Sequence, residues 1–146
     1  MFSERDILYF SPFYFKNGNK PKNKFFVVLK ELDGKTIIAS LPTSHDHIPK
    51  QSEVDRGCIE IIESCLNCFV MSPLEEVTEC GKKFRVPTYM YGSLIDEYEV
   101  EYLENMLANK NCSYEIWGRM KLDLFSQLLD CFRTSKFVKK KYQRAL

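Results

Sequence analysis

An Asp-Gly dipeptide between two apolar runs constrains the fold of this chain more than any other local feature. Asp33-Gly34 separates residues 24–31 from residues 35–41, and both runs are rich in Val, Ile and Phe. Because Asp-Gly readily adopts the left-handed backbone of a tight turn, this pattern is among the strongest short signals of a β-hairpin. We therefore predict two paired strands that are buried over most of their area.

Other short apolar segments, most of them bounded by Gly or Pro, predict further strands. They cover residues 7–10, 58–62, 65–71, 82–86 and 88–91. Ser11-Pro12 should end the first of these strands, because proline cannot donate a ladder hydrogen bond. Several short strands at near-regular spacing are typical of a small closed or half-closed barrel.

The hydrophobic period becomes helical after Gly92. Asp96 is a candidate N-cap for a helix over about residues 97–108, and apolar spacing predicts a second helix over residues 122–133. Residues 113–117 form an extended segment between these helices. The basic tail that follows residue 133 is interpreted as a solvated helix end.

The order of these elements predicts an α+β fold, mainly β, with two C-terminal helices. We expect one domain over residues 1–146, with a strand-rich part over 1–92 and a helical part with a basic tail over 93–146. No apolar run approaches the length of a membrane span, and the first residues lack the pattern of a secretory signal. We therefore predict a cytoplasmic protein with no membrane partner.

Six cysteines occur in the chain: Cys58, Cys65, Cys68, Cys80, Cys112 and Cys131. Because nothing else argues for an oxidising compartment, we expect them to be reduced. Cys65 and Cys68 have the spacing of half a zinc site, but a structural site needs four ligands. Their apolar neighbours favour burial as small hydrophobic residues. We expect neither a metal nor another cofactor.

A loop over residues 13–23 combines aromatic and basic side chains. The aromatic residues are Phe13, Tyr14 and Phe15, and the basic ones are Lys16, Lys20 and Lys22. The aromatic rings could cover the core or offer a stacking surface for RNA bases, and the lysines could bind phosphates or keep the loop soluble. The net charge of +1 means that any nucleic-acid binding depends on local patches of this kind.

A cluster of hydroxyl and imidazole groups follows the predicted hairpin. Thr43, Ser44, His45 and His47 lie within five residues, and these two histidines are the only ones in the chain. Histidine can transfer protons near neutral pH, so His45 or His47 is a candidate general base or acid. Two other interpretations stay open: a turn whose side chains bond its own backbone, and, less favoured, a metal site formed by the histidines and Asp46.

The order of these features resembles the start of the MazF/PemK-like toxin family. That family opens with a Gly-Asp-Ile-Val type of strand, places an Arg just before its second strand, and ends its third strand in Pro-Ile-Thr-Ser. Here the corresponding segments are Asp6-Ile7-Leu8, Lys24 and Pro42-Thr43-Ser44. The chain departs from the family by having Lys24 where the Arg would be.

The resemblance implies a small SH3-like barrel that cuts single-stranded RNA without a metal and is inhibited by a cognate antitoxin. A homodimer is possible. The usual catalytic pair of the family falls here on Lys24 with Thr43 and Ser44. The alternative function is a non-catalytic barrel of the same ancestry that binds a protein or nucleic acid.

Pairing about the Asp33-Gly34 turn would place Lys24 opposite Thr43, with Cα atoms about 5 Å apart. Lys24 would then supply positive charge to the phosphate while His45 moves a proton. We therefore expect Lys24, Thr43 and His45 to lie around one cleft.

Overall fold

The structure, a computed structural model, describes residues 2–49 and 56–146. These residues form eight strands and three α-helices. In chain order they are β1 (Asp6–Phe13), β2 (Lys22–Leu32), β3 (Thr36–Ser40), β4 (Gly57–Ile61), β5 (Leu66–Met71), β6 (Thr88–Tyr91), β7 (Asp96–Glu99), α1 (Val100–Asn109), β8 (Ser113–Arg119), α2 (Leu122–Arg133) and α3 (Lys140–Ala145). The predicted α+β class, mainly β, is confirmed.

The strands form two antiparallel sheets. The larger sheet has five strands in the order β7-β3-β2-β1-β8, and the smaller one has three in the order β4-β5-β6. An isolated bridge between Thr43 and Tyr89 connects the chain just after β3 to β6. The two strands that follow residue 92, β7 and β8, form the two edges of the larger sheet.

The predicted hairpin is confirmed. Asp33 and Gly34 both have positive φ angles, 53° and 67°, as a type I′ turn requires. The Lys35 amide donates to the carbonyl of Leu32 at 3.0 Å and closes the turn between β2 and β3.

The core lies on both faces of the larger sheet because its central strands alternate between two sets of apolar residues. Phe26 and Val28 pack on one face together with Leu103 of α1. Val27 and Leu29 pack on the other face against the smaller sheet and α2. The near-continuous apolar sequence of these strands reflects this burial on both sides.

Two predictions about the strands were wrong: the end of β1 and the presence of a strand over residues 82–86. β1 does not end at Ser11-Pro12 but continues to Phe13, with an irregularity in its pairing to β2. Residues 82–86 form no strand. Lys82 instead closes a turn, donating its amide to Thr78 Oγ1 at 2.9 Å and accepting the Val77 amide at 2.8 Å. These bonds occupy the backbone N–H and C=O of Lys82, which a ladder would use.

The start of the first helix was also predicted wrongly. Residues 96–99 form β7, whose Tyr98 is paired with Ile37 of β3, and α1 begins only at Val100. The exposed edge of β3 supplies ladder partners to this polar segment. Asp96 is therefore a strand residue and does not cap the helix.

The basic tail is folded. The predictions of a solvated helix end and of two C-terminal helices were therefore wrong. It contains a third helix, α3, whose Tyr142 is buried. The Tyr142 hydroxyl lies 3.3 Å from Asp96 Oδ1, and Lys141 Nζ lies 2.8 Å from Glu97 Oε1. The basic tail thus packs against the acidic strand β7.

The prediction that all cysteines are reduced was wrong for one pair. Cys58 of β4 and Cys131 of α2 form a disulfide, with Cα atoms 5.5 Å apart and a sequence separation of 73. The fold brings these residues together, and their sequence spacing gives no sign of it. The other four cysteines, Cys65, Cys68, Cys80 and Cys112, are free thiols.

No helix in the described ranges is both long and apolar enough to cross a bilayer.

Candidate nucleic-acid interface

Two adjoining clefts meet at the open end of the β2–β3 hairpin. The first has a volume of about 610 Å³ and the second about 740 Å³. Both are lined by Lys22, Lys24, Thr43 and His45, which therefore form a ridge between them. The expectation that Lys24, Thr43 and His45 surround one cleft agrees with this arrangement.

Lys24 is held in place by the chain that leaves β3. Its Nζ donates to the carbonyl oxygen of Pro42 at 2.9 Å. Burial, together with the neighbouring charge of Lys22, lowers the pKa of Lys24 from 10.5 to about 8. The side chain therefore begins to lose its charge not far above neutral pH.

Thr43 is not paired with Lys24, contrary to the prediction. The register of β3 with β2 reaches only Val27 and Ser40. Pro42 follows, and Thr43 then exchanges two backbone hydrogen bonds with Tyr89, at 2.9 and 2.7 Å. The chain has left the larger sheet and joined the smaller one, so Lys24 reaches this segment through its side chain.

The loop with the two histidines is a turn that bonds its own backbone, one of the interpretations left open. The His45 amide donates to Thr43 Oγ1 at 3.2 Å, and the Ile48 amide donates to Asp46 Oδ1 at 2.8 Å. The imidazoles of His45 and His47 are exposed, with ring centroids 6.3 Å apart. Both rings still line the second cleft and remain accessible to a ligand.

Two tyrosines of β6, which the sequence analysis missed, anchor this loop. Tyr91 donates its hydroxyl to the His45 carbonyl at 2.6 Å and accepts the His47 amide at 2.8 Å. Tyr89 Oη lies 3.2 Å from Asp46 Oδ2. Burial raises the pKa of Tyr91 to about 12, so its phenol stays protonated as this donor role requires. The alternation Tyr89-Met90-Tyr91 in the predicted strand was the sequence signal that could have identified these two tyrosines.

Some of the predicted RNA-binding residues line a cleft and others do not. Lys20, Lys22 and Phe15 line the second cleft. Lys16 is paired with Asp96 at 3.0 Å. Ser44, which was predicted as a catalytic residue, lines the first cleft and is exposed.

The other two aromatic residues of the loop do not line either cleft. Phe13 is fully buried, so its prediction as a stacking surface was wrong and its role as core is confirmed. Tyr14 lies against α1, where its carbonyl accepts a hydrogen bond from Tyr102 Oη at 2.8 Å. Of the three rings, only Phe15 lines one of these two clefts.

The first cleft has a basic and aromatic wall that the sequence analysis did not assign to the site. Lys83 and Arg85 line it, and both are exposed and form no ion pair within residues 2–49 and 56–146. Phe84 stacks on Trp117 with ring centroids 5.0 Å apart. The run Lys82-Lys83-Phe84-Arg85 carried this signal, but it was predicted as a strand.

Comparison with known proteins gives no relative: no family model, curated protein or solved structure matches the chain.

Proposed function

We propose that this protein is a metal-independent endoribonuclease that binds single-stranded RNA across its two clefts. The observation that carries the proposal is the ridge of Lys22, Lys24, Thr43 and His45 between two clefts that are lined by further cations. Grooves that combine cations with aromatic rings suit single-stranded nucleic acids, because the backbone is anionic and every base offers a stacking face.

Cations on both sides of the ridge support binding of a phosphate chain. Lys83 and Arg85 lie on one wall of the first cleft, and Lys20 lies in the second. Lys22 lines both clefts. A strand that passes over the ridge would contact these side chains in turn, and its scissile phosphate would lie near Lys24.

The ridge has the groups that cleavage by the ribose 2′-hydroxyl requires. The 2′-oxygen attacks phosphorus, the bond from phosphorus to the 5′-oxygen breaks, and a cyclic phosphate and a 5′-hydroxyl form. One group must accept the 2′-hydroxyl proton and one must protonate the 5′-oxygen, and the exposed imidazoles of His45 and His47 are our candidates for these two transfers. The Lys24 ammonium would stabilise the added negative charge, with Thr43 as a hydroxyl donor.

The resemblance to MazF/PemK-like toxins extends this proposal to an SH3-like barrel, a cognate antitoxin, a possible homodimer and a cytoplasmic location. The Thr43–Tyr89 bridge between the two sheets supports a barrel-like arrangement. The guanidinium that the family pattern expects at position 24 has a counterpart in Arg85, which lines the same cleft. Arg85 can hold a phosphate with two hydrogen bonds, which a lysine cannot do.

The proposal is tested with purified protein and a fluorescent single-stranded RNA in the presence of EDTA. We expect cleavage by the wild type and a loss of about 100-fold or more in His45→Ala, the usual range for removing a general acid or base. Thr43→Ala should also cleave more slowly. Thr134→Ala, at an exposed position just after α2, is the matched control and should cleave normally. Absence of cleavage by the wild type refutes the nuclease.

The second candidate is a non-catalytic protein that binds RNA in the same clefts. Lys24 is engaged with the Pro42 carbonyl, and Thr43 Oγ1 accepts the His45 amide, so both have structural roles without a substrate. Binding of RNA without cleavage in the same assay, with weaker binding by Arg85→Ala, selects this candidate.

A further inference from the structure

We infer that the floor of the first cleft is a base-reading subsite that prefers guanine, with Tyr9 as the stacking surface and Glu115 as the acceptor. The inference rests on the proposed binding of RNA and adds the identity of one base. It comes from side chains of β1, β2 and β8 that neither the predicted catalytic residues nor the phosphate-binding cations include.

The subsite is a row of three side chains on neighbouring strands. Tyr9 of β1 is directly opposite Phe25 of β2 on one side and Glu115 of β8 on the other. All three line the first cleft. Neighbouring strands are about 4.8 Å apart, so the row spans about 10 Å, enough for one base and its polar edge.

The floor is held rigid by packed aromatic rings. The Phe25 ring lies 4.8 Å from Tyr9, 5.0 Å from Phe84 and 5.1 Å from Trp117, measured between centroids. These contacts fix Phe25 from three sides, and Phe25 in turn positions Tyr9. Tyr9 is only partly buried, so part of it faces the cleft. A preorganised ring of this kind binds a base without a large loss of side-chain entropy.

Glu115 is unusual because it is a carboxylate in a cleft whose other charged side chains are cations. The cations are Lys22, Lys24, Lys83 and Arg85. Glu115 is exposed and pairs with none of them within 4.0 Å. A free carboxylate repels a phosphodiester, so for backbone binding alone it is a disadvantage. The same group is useful if it accepts hydrogen bonds from a base.

Guanine fits this acceptor better than the other bases. Its Watson–Crick edge carries an imino N1–H beside an exocyclic N2 amino group, two adjacent donors that match the two oxygens of a carboxylate. Uracil has one imino donor between two carbonyl acceptors, which a carboxylate repels. Unpaired bases of single-stranded RNA expose this edge for recognition.

The test measures binding separately from cleavage. Fluorescent 2′-O-methyl octanucleotides cannot be cut by 2′-hydroxyl attack, so anisotropy gives their affinity directly. One is all uracil, and three others carry a single central guanine, inosine or adenine. They are titrated against the wild type, Glu115→Gln and Glu104→Gln, where Glu104 is an exposed carboxylate on α1 outside the clefts.

We expect the guanine oligonucleotide to bind the wild type about tenfold more tightly than the all-uracil one, the discrimination typical of a two-hydrogen-bond contact to a base. Inosine lacks the amino group and should be intermediate. Glu115→Gln should bind uracil more tightly and guanine more weakly, so that the preference falls to about twofold or less. Glu104→Gln should keep the wild-type preference.

Two outcomes overturn the inference in different ways. If the oligonucleotides bind equally, or if the preference persists in Glu115→Gln, the base-reading subsite is wrong while the proposed RNA binding stands. If neither these oligonucleotides nor unmodified RNA binds the wild type, both the subsite and the proposed function fail.

Discussion

The Lys24 ammonium donates a 2.9 Å hydrogen bond to the carbonyl oxygen of Pro42. This bond connects β2 to the chain at the point where the β2–β3 ladder has already ended. It fixes the cation beside Thr43 although the two residues are not paired. The side-chain hydrogen bond of Lys24, and not backbone pairing, therefore holds Lys24 and Thr43 together in the ridge.

RNA affinity should fall as the pH rises through about 8, because burial lowers the pKa of Lys24 to that value and its ammonium loses a proton there. Anisotropy titrations with a 2′-O-methyl oligonucleotide between pH 6.5 and 9.5, at constant ionic strength, measure this. Lys24→Arg keeps its charge over the whole range and should bind with little pH dependence. Identical profiles for both proteins would show that Lys24 does not contact the phosphates.

Arg85→Ala should weaken RNA binding and reduce its dependence on salt. Each phosphate contact to single-stranded nucleic acid contributes about 0.7 to the slope of log affinity against log salt concentration. Loss of one contact should therefore lower the slope by about 0.7. Arg144→Ala, which removes an exposed arginine of α3, is the matched control and should leave the slope unchanged. An unaltered slope in Arg85→Ala would remove this residue from the interface.

Reduction of the Cys58–Cys131 disulfide should destabilise the protein. The bond closes a loop with a sequence separation of 73, and a cross-link of this length restricts the unfolded chain. Its removal should cost about 2–4 kcal/mol. Thermal unfolding with and without reductant measures the effect, and Cys58→Ser should match the reduced wild type. Cys80→Ser, which changes an exposed free thiol, should not lower the melting temperature.

Glu60 should contribute to stability at neutral pH but not in acid. Its carboxylate accepts hydrogen bonds from Ser135 Oγ at 2.7 Å and from the Lys136 amide at 3.0 Å. Burial alone would raise the pKa of Glu60. The two hydrogen bonds, a third from Asn67 and the positive charge of Lys136 outweigh burial, so the pKa lies below 4.5. The stabilisation is therefore present above this value and is lost as the pH falls below it.

Melting curves of Glu60→Gln from pH 3 to 7 test this. The variant should melt at a lower temperature than the wild type at pH 7, and the difference should shrink towards pH 3. Glu63→Gln is an exposed control for the loss of one negative charge. A difference that stays constant with pH would mean that the ionised carboxylate is not what matters at position 60.

The sequence predicts those elements that depend on local chemistry. The β2–β3 turn follows from the tolerance of Asp33 and Gly34 for positive φ, and α2 follows from its apolar period. β7 could not be predicted in this way, because its residues are mostly polar and only the exposed edge of β3 makes them a strand. Residues 82–86 show the opposite: they were predicted as a strand but form none. The Thr78 hydroxyl accepts the Lys82 amide hydrogen that a ladder would need.

The candidate site was predictable where a motif is continuous in sequence. Thr43, Ser44 and His45 are adjacent, and Lys24 follows from the hairpin. Arg85 lies on the loop before β6, and the floor with Tyr9 and Glu115 comes from β1 and β8, which are far apart in sequence. The proximity of Tyr9 and Glu115 depends on the order of strands in the larger sheet, which no local pattern encodes.

The hydrogen bonds from Tyr89 and Tyr91 mean that the histidine loop takes its shape from β6, more than forty residues further along the chain. Residues 42–48 transferred alone onto another hairpin would keep their sequence but lose the phenols that hold them. A working transplant would have to carry β6 as well. Chains that share only the Pro-Thr-Ser segment need not share the arrangement of His45 and His47.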